Sequence, residues 1–228
     1  MIFRQLKSLT EHIDVTVVCP DMLSEGWSFG IPEPLFGYTK LHQIYTKAKV
    51  DYSGRVTVPV LWDKKTNTIV SNESSEIIRM FNSAFNELTG NQHDYYPQAL
   101  SKAIDEWNAY IYPNINNGVY RCGFATTQEA YDDAYDALFT ALDKVNNHLA
   151  TYRYLVVTRS PRRIGVYSLH LSVLMLFTSG HFKCNKQRIA DYENLSGYLK
   201  ELYQIDRYQT NDRFLPHQTP LLFQPYRY

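Results

Sequence analysis

Apolar positions along this chain follow two rhythms, and the change between them falls near Tyr95. Before it, Ile13 to Val18 alternates apolar and polar, the period of a strand with one buried face, and ends at Cys19-Pro20. Phe3 to Lys7 resembles the back half of a helix, and Leu41 to Lys47 a short helical turn. Asp21 to Tyr38 reads as a loop rich in Gly and Pro that contains Gly26-Trp27-Ser28-Phe29. The stretch from Arg55 to Arg79 predicts a strand, a turn over Asp63–Asn67, a second strand and then a helix from Ser74. That helix places Ile77, Ile78, Phe81 and Phe85 at core-facing spacing. After Tyr95 the pattern is helical only. Pro97–Tyr112 and Thr126–Leu149 are long amphipathic segments, the second opened by the capping sequence Thr126-Thr127-Gln128-Glu129. A last helix, Asn194–Gln204, carries Leu195, Leu199 and Leu202. The pattern thus predicts an α/β part over residues 1–90 and an all-α part over 91–228.

Composition narrows the function classes. A chain of 228 residues can bury one good core or two modest ones. Lys plus Arg and Asp plus Glu are both 23, so the net charge is zero. That argues against nucleic acid and anionic membranes, whose affinity comes largely from excess cationic charge. The three cysteines, Cys19, Cys122 and Cys184, are spaced for neither a disulfide framework nor a zinc site, so no metal is expected. A reducing cytoplasm is the simple reading of that usage. No charged-then-apolar leader opens the sequence, and the apolar run Val166–Phe177 is too short to span a bilayer. Tyrosine is common, with 19 residues, which suits packing or an aromatic substrate site.

The chemistry concentrates in the Arg55–Arg79 block. A proline within an apolar strand, Val58-Pro59-Val60, removes a ladder donor and is normally disfavoured. It fits one device, a cis-proline that leaves the preceding residue's backbone free to pair with a bound peptide. Strand–Pro–strand followed by Asn72-Glu73-Ser74 at a helix start resembles the way thioredoxin-fold domains hold glutathione.

Longer strings carry a more specific resemblance. Pro20-Asp21-Met22-Leu23 to Gly26-Trp27-Ser28-Phe29, Tyr52 to Asp63, and Asn72 to Arg79 lie in the first part. Asn116-Asn117-Gly118-Val119-Tyr120-Arg121-Cys122-Gly123-Phe124-Ala125 and His181-Phe182-Lys183-Cys184-Asn185 lie in the second. In this order they resemble the glutathionyl-hydroquinone reductases, the Xi class of glutathione transferases, over residues 1–155 and 181–205.

The resemblance implies a thioredoxin-like domain lacking its first strand, followed by an all-α glutathione-transferase domain. It further implies a cytoplasmic homodimer that uses glutathione as co-substrate and acts on glutathionyl-hydroquinones. A cysteine thiolate attacks the glutathione sulfur and expels the hydroquinone; a second glutathione resolves the mixed disulfide, giving oxidised glutathione. By matching position, Trp27 packs on glutathione and the Val58 backbone pairs with its cysteinyl unit. Glu73 and Ser74 hold the γ-glutamyl end, Arg55 and Thr57 line the same groove, and Tyr120 faces the hydroquinone.

Three departures qualify those expectations. The family's nucleophile sits in a C-P-W-A-H-R string, whereas this sequence opens with Met1-Ile2-Phe3-Arg4-Gln5-Leu6-Lys7, which matches the family's segment just C-terminal to that string. The catalytic cysteine is therefore expected upstream of Met1, with the chain truncated and inactive as written; Cys19, Cys122 and Cys184 are read as structural. Loss of an interior strand leaves neighbours unpaired, at roughly 1–3 kcal/mol for each buried group.

Between Leu155 and His181 the family text stops although the spacing is kept. A one-base shift allows Val157–Ile164 to be read as G-D-S-L-T-E-A-D, and the tail Arg207–Pro220 as G-I-K-P-T-I-G-F-Y-H-I-K-R-H. Two compensating slips around residues 157–180 and one near 206 are thus expected, removing a tail tyrosine that would join Tyr120 over the hydroquinone. The loop after Phe29 is also shorter than the family's usual one. The competing readings are a non-catalytic glutathione-binding remnant and an interaction protein built on the helical part.

Overall fold

The computed structural model describes residues 2–19, 24–156 and 182–203. They fall into two compact units, one spanning Phe3–His93 and the other beginning at Asp94.

The first unit opens with α1 (Ile2–Leu6), which buries Phe3 and Leu6. The Arg4 guanidinium closes the adjoining turn by donating to the carbonyls of Thr10 and Ile13. Lys7 is wholly buried, and its ammonium donates to the carbonyls of Asn91 at 2.9 Å and His93 at 2.5 Å. A buried cation is tolerated only where such acceptors replace water, so Lys7 ties the end of α1 to the end of the unit.

Helix α2 (Leu41–Ala48) begins where Gln43 reaches back, its Oε1 accepting from the amides of Thr39 and Lys40. Leu41, Ile44 and Tyr45 form its buried stripe, and Trp27, Phe29, Val56, Val60 and Trp62 pack around it. Strands β1 (Leu61–Asp63) and β2 (Thr68–Ser71) pair antiparallel, with Trp62 opposite Ile69 and Asp63 opposite Thr68. The predicted turn joins them. Asp63 accepts from the Lys65 amide and the Thr66 hydroxyl, and Asn67 takes the left-handed conformation at φ 54°. Helix α3 (Ser74–Ser83) buries Ile77 and Phe81, then stops before Phe85, which precedes the short α4 (Asn86–Thr89).

Two predicted strands are not formed. Ile13–Val18 contributes a single bridge, Val18 to Phe29, and leaves Val15 and Val17 exposed. An alternating pattern becomes a strand only when another backbone lies alongside, and among the described residues the sheet consists of β1 and β2. The apolar run before Leu61 is likewise no strand. Pro59 has no N–H, and both backbone groups of Thr57 bond the Tyr45 hydroxyl instead of a neighbouring chain.

The second unit is helical, as its spacing predicts. Helix α5 (Gln98–Ile111) runs into a wide π turn, Tyr112–Asn116, and then α6 (Asn117–Gly123). Helix α7 (Gln128–Thr151) starts at Thr127, whose Oγ1 accepts from the Ala130 amide at 3.2 Å. Its stripe of Ala134, Leu138, Ala141, Leu142, Val145 and Leu149 is buried against Ile115, Val119 and Cys122. Helix α8 (Glu193–Tyr203) adds Leu195, Tyr198 and Leu202 to that core. Fully burying one such leucine is worth about 1.5–3 kcal/mol.

The N-terminus of α8 is capped from across the core. Asn146 Oδ1 accepts from the amides of Asn194 and Leu195 at 3.2 and 3.1 Å, the amides a local N-cap would take. Residues 157–180 and 206–220, the segments of the frame-shift expectation, lie outside the described residues, as do Asp21–Leu23, His181 and Gln204.

Candidate functional site

Five of the predicted glutathione-groove residues lie between Arg55 and Ser74, where local folding brings three segments to one polar junction. Tyr45 projects from α2 into this junction and is 2% exposed. Its hydroxyl donates to the Thr57 carbonyl at 2.8 Å and accepts from the Thr57 amide at 3.3 Å and from Asn72 Nδ2 at 3.1 Å. Asn72 Nδ2 also donates to Thr57 Oγ1 at 3.1 Å. The phenol thus uses its one proton and both lone pairs. The Tyr52 ring lies 4.9 Å from that of Tyr45, and the Tyr52 hydroxyl donates to the Arg55 carbonyl at 2.8 Å.

These bonds set the positions of the candidate residues. Thr57 is half-buried with its backbone held inward, while the Arg55 side chain is exposed. Val58 comes next as an exposed residue (43%), joined to Pro59 by a cis peptide bond. Glu73 is the residue before α3 and is exposed; its amide donates to Ser71 Oγ at 3.0 Å, and that hydroxyl donates to Glu76 Oε2 at 2.8 Å. Ser74, half-buried, is the first residue of α3. Its amide is one of the first-turn donors that a helix cannot satisfy internally, which favours a carboxylate at that end. Trp27 is half-buried against the Leu41, Ile44 and Tyr45 cluster, and its carbonyl accepts from the Leu41 amide at 2.9 Å. A carboxylate side chain and a helix start side by side, with an exposed backbone segment held nearby, can take a zwitterionic peptide terminus.

Tyr120 belongs to the helical unit. It is 45% exposed and packs with Phe124, itself 67% exposed, and with Phe182. The Tyr120 and Phe182 rings meet edge to face at 5.2 Å, and Phe124 meets Phe182 at 6.0 Å. Sequence reasoning singles out Tyr120 and leaves Phe124 and Phe182 as parts of longer strings. It misses Tyr45, because a buried tyrosine at helical spacing reads as ordinary core.

The cysteines sit in dissimilar surroundings. Cys19 is half-buried, with its amide bonded to the Ser28 carbonyl at 2.7 Å. Cys122 and Cys184 are buried in the helical core and face each other. Burial pushes the Cys122 thiol up, and burial together with the neighbouring Cys122 pushes Cys184 up to about 12. The thiolate is the reactive form, so neither core thiol is a nucleophile at neutral pH. Among the described residues, no group of three or more His, Cys, Asp or Glu could hold a metal ion. No helix among them is long and apolar enough to cross a membrane.

Comparison with known proteins places these features in a family. Residues 1–84 match the model of the glutathione S-transferase N-terminal domain. The chain is 48% identical over 214 residues to the glutathionyl-hydroquinone reductase YqjG of Escherichia coli, covering 90% of this chain and 64% of that protein. It is 44% identical over 215 residues to the glutathionyl-hydroquinone reductase PcpF of Sphingobium chlorophenolicum, covering 91% of this chain and 68% of that one. It therefore spans about two thirds of the length of these relatives.

The glutathione-bound structure of YqjG superposes with a TM-score of 0.84 at 46% identity, over 92% of this chain and 70% of that one. The Xi glutathione transferase ECM4 of Saccharomyces cerevisiae, solved with glutathione, superposes with a TM-score of 0.85 at 30% identity, over 100% of this chain and 87% of that one. The fold is accordingly a thioredoxin-like glutathione-transferase N-terminal domain followed by a helical C-terminal domain. With two thirds of PcpF matched at this identity, the chain belongs to the glutathionyl-hydroquinone reductases, the Xi class of glutathione transferases.

Proposed function

We propose that residues 1–228 bind glutathione and derive from a reductase of glutathionyl-hydroquinones, and that as written they bind without turning over. In this reading residues 1–90 hold glutathione and 91–228 carry the hydroquinone-facing Tyr120. The observation that carries the binding is an exposed Val58 whose neighbour Thr57 is bonded to Asn72, the residue just before Glu73 and Ser74 at the start of α3. Val58 offers backbone groups to the cysteinyl unit. The Glu73 carboxylate suits the γ-glutamyl ammonium, and Ser74 with the helix start suits its carboxylate. Thr57 and Arg55 extend the same edge, and Trp27 supplies an apolar wall. The relatives solved with glutathione support the choice of ligand. A homodimer in the cytoplasm belongs to the same reading.

The turnover part rests on the thiols. The family's reaction needs a thiolate within a C-P-W-A-H-R string, and no such string occurs in residues 1–228. Burial raises the Cys122 and Cys184 thiols, and Cys19 is half-buried beside Ser28 and Gly30, outside any such string. Purified chain is mixed with glutathionyl-menadiol and glutathione, and retention on immobilised glutathione is measured in parallel. Retention with a rate equal to the uncatalysed one is expected. Turnover well above that rate overturns the non-catalytic part, and absence of retention overturns the binding.

A further inference from the structure

We propose that Tyr45, assisted by Asn72, is the positioning residue that sets the glutathione groove, acting through the backbone of Thr57. The inference rests on the proposed groove; it adds Tyr45, which lies in none of the quoted strings, and gives Asn72 of the Asn72-Glu73-Ser74 string a specific part. Its physical basis is the geometry of one peptide plane. The Thr57–Val58 peptide is trans, so its C=O and N–H point in opposite directions. Tyr45 draws the Thr57 carbonyl inward at 2.8 Å, and the Val58 N–H is thereby turned outward, toward the exposed side. The Thr57 amide, bonded to the same oxygen at 3.3 Å, removes the remaining freedom on the other side of that residue.

Asn72 extends the control to the second half of the groove. Its carboxamide bonds the Tyr45 hydroxyl and Thr57 Oγ1, both at 3.1 Å, and the next two residues along the chain are Glu73 and Ser74. One buried hydroxyl therefore fixes the separation between the segment offered to the cysteinyl unit and the segment offered to the γ-glutamyl end. Its own position is rigid, because Tyr45 sits in the α2 stripe at 2% exposure with the Tyr52 ring against it. A preorganised groove spares the ligand the ordering of two loops on binding.

The test is glutathione titration by calorimetry on the folded chain. Tyr45→Phe keeps the ring and removes the hydroxyl, and Asn72→Ala removes the second bridge. Each is expected to weaken glutathione binding about tenfold, the size of one hydrogen bond's net contribution, with an unchanged far-UV spectrum. Because both act through one network, the double variant is expected to lose little more than Tyr45→Phe alone. Thr127→Ala, which weakens a helix of the other unit, is expected to leave the affinity unchanged and so separates positioning from stability. Should Tyr45→Phe fail to fold, Asn72→Ala carries the same reading. Affinity within twofold of wild type in the variants, alongside clear weakening by Ser74→Ala, overturns the positioning role and leaves the groove standing. No saturable binding by the wild-type chain overturns both.

Discussion

Replacing Gly123 by alanine sets two opposing effects against each other, and the structure decides the sign. Gly123 is the last residue of α6, where alanine gains up to about 1 kcal/mol of helix propensity in the interior and less at the end. A Cβ there would stand 2.1 Å from Phe182 Cδ1 and 3.1 Å from both Cγ and Cε1. Carbon atoms pack best at about 3.5–4.0 Å, so the ring must retreat by more than about 1 Å. It has little room to do so. Its edges meet Tyr120 and Phe124, the next carbonyl accepts from the Tyr131 hydroxyl at 2.7 Å, and Cys184 is 3% exposed. Overpacking of this kind costs about 1–3 kcal/mol, and disturbing an aromatic pair about 0.5–1.5 more. The net expectation is a loss of about 1–2 kcal/mol, read from the urea midpoint at unchanged slope. Gly197, exposed in α8 with nothing within 4 Å of its Cβ position, is the internal reference, and Gly197→Ala is expected to be neutral or stabilising. If Gly123→Ala stabilises the protein as much as Gly197→Ala does, the packing argument is wrong.

Other consequences rest on single contacts. Asn146→Ala removes the cross-core cap of α8 and is expected to cost about 1–2 kcal/mol in the same unfolding assay, whereas Thr127→Ala costs about 1 kcal/mol. The Arg153 guanidinium, with help from the Tyr154 hydroxyl, holds the Glu201 carboxyl below its usual range. A lowered folded-state value means that this stabilisation is complete above the unfolded carboxyl value, about 4.3, and disappears as pH falls through the lowered one. The stability gap between wild type and Glu201→Gln should therefore be constant from pH 6 to 8, close at acid pH, and stay below about 1 kcal/mol because Arg153 is exposed. Iodoacetamide at pH 7.5 should leave Cys122 and Cys184 unmodified in the folded chain and label both in urea, as mass spectrometry would read. Labelling of either in the native state would contradict their assignment as inert core thiols.

The helical half was largely legible in the sequence. Helix α7 declares itself through Leu138, Leu142, Val145 and Leu149 at helical spacing behind Thr127, and these signals are local. The strands were less legible because pairing is not local. Ile13–Val18 alternates as a strand does, yet without a partner alongside it makes one bridge. Val56 to Val60 reads as apolar strand, but Tyr45 and Pro59 between them occupy or remove the groups that a ladder needs. At the site, Thr57 and Asn72, whose chain neighbours Val58 and Glu73 are carried by resemblance, meet at the Tyr45 hydroxyl. The residue that holds them there, Tyr45, is invisible as such, since a hub and a core tyrosine share one pattern. Phe182 and Gly123 were equally silent, because their contact joins two stretches far apart in the chain.

The most direct test of the central claim is a crystal structure of the chain soaked with glutathione. The cysteinyl amide and carbonyl should pair with the Val58 backbone, the γ-glutamyl ammonium should meet Glu73, and its carboxylate should meet Ser74 and the start of α3. Glutathione bound elsewhere on the chain, with Val58 and Ser74 untouched, would contradict the account.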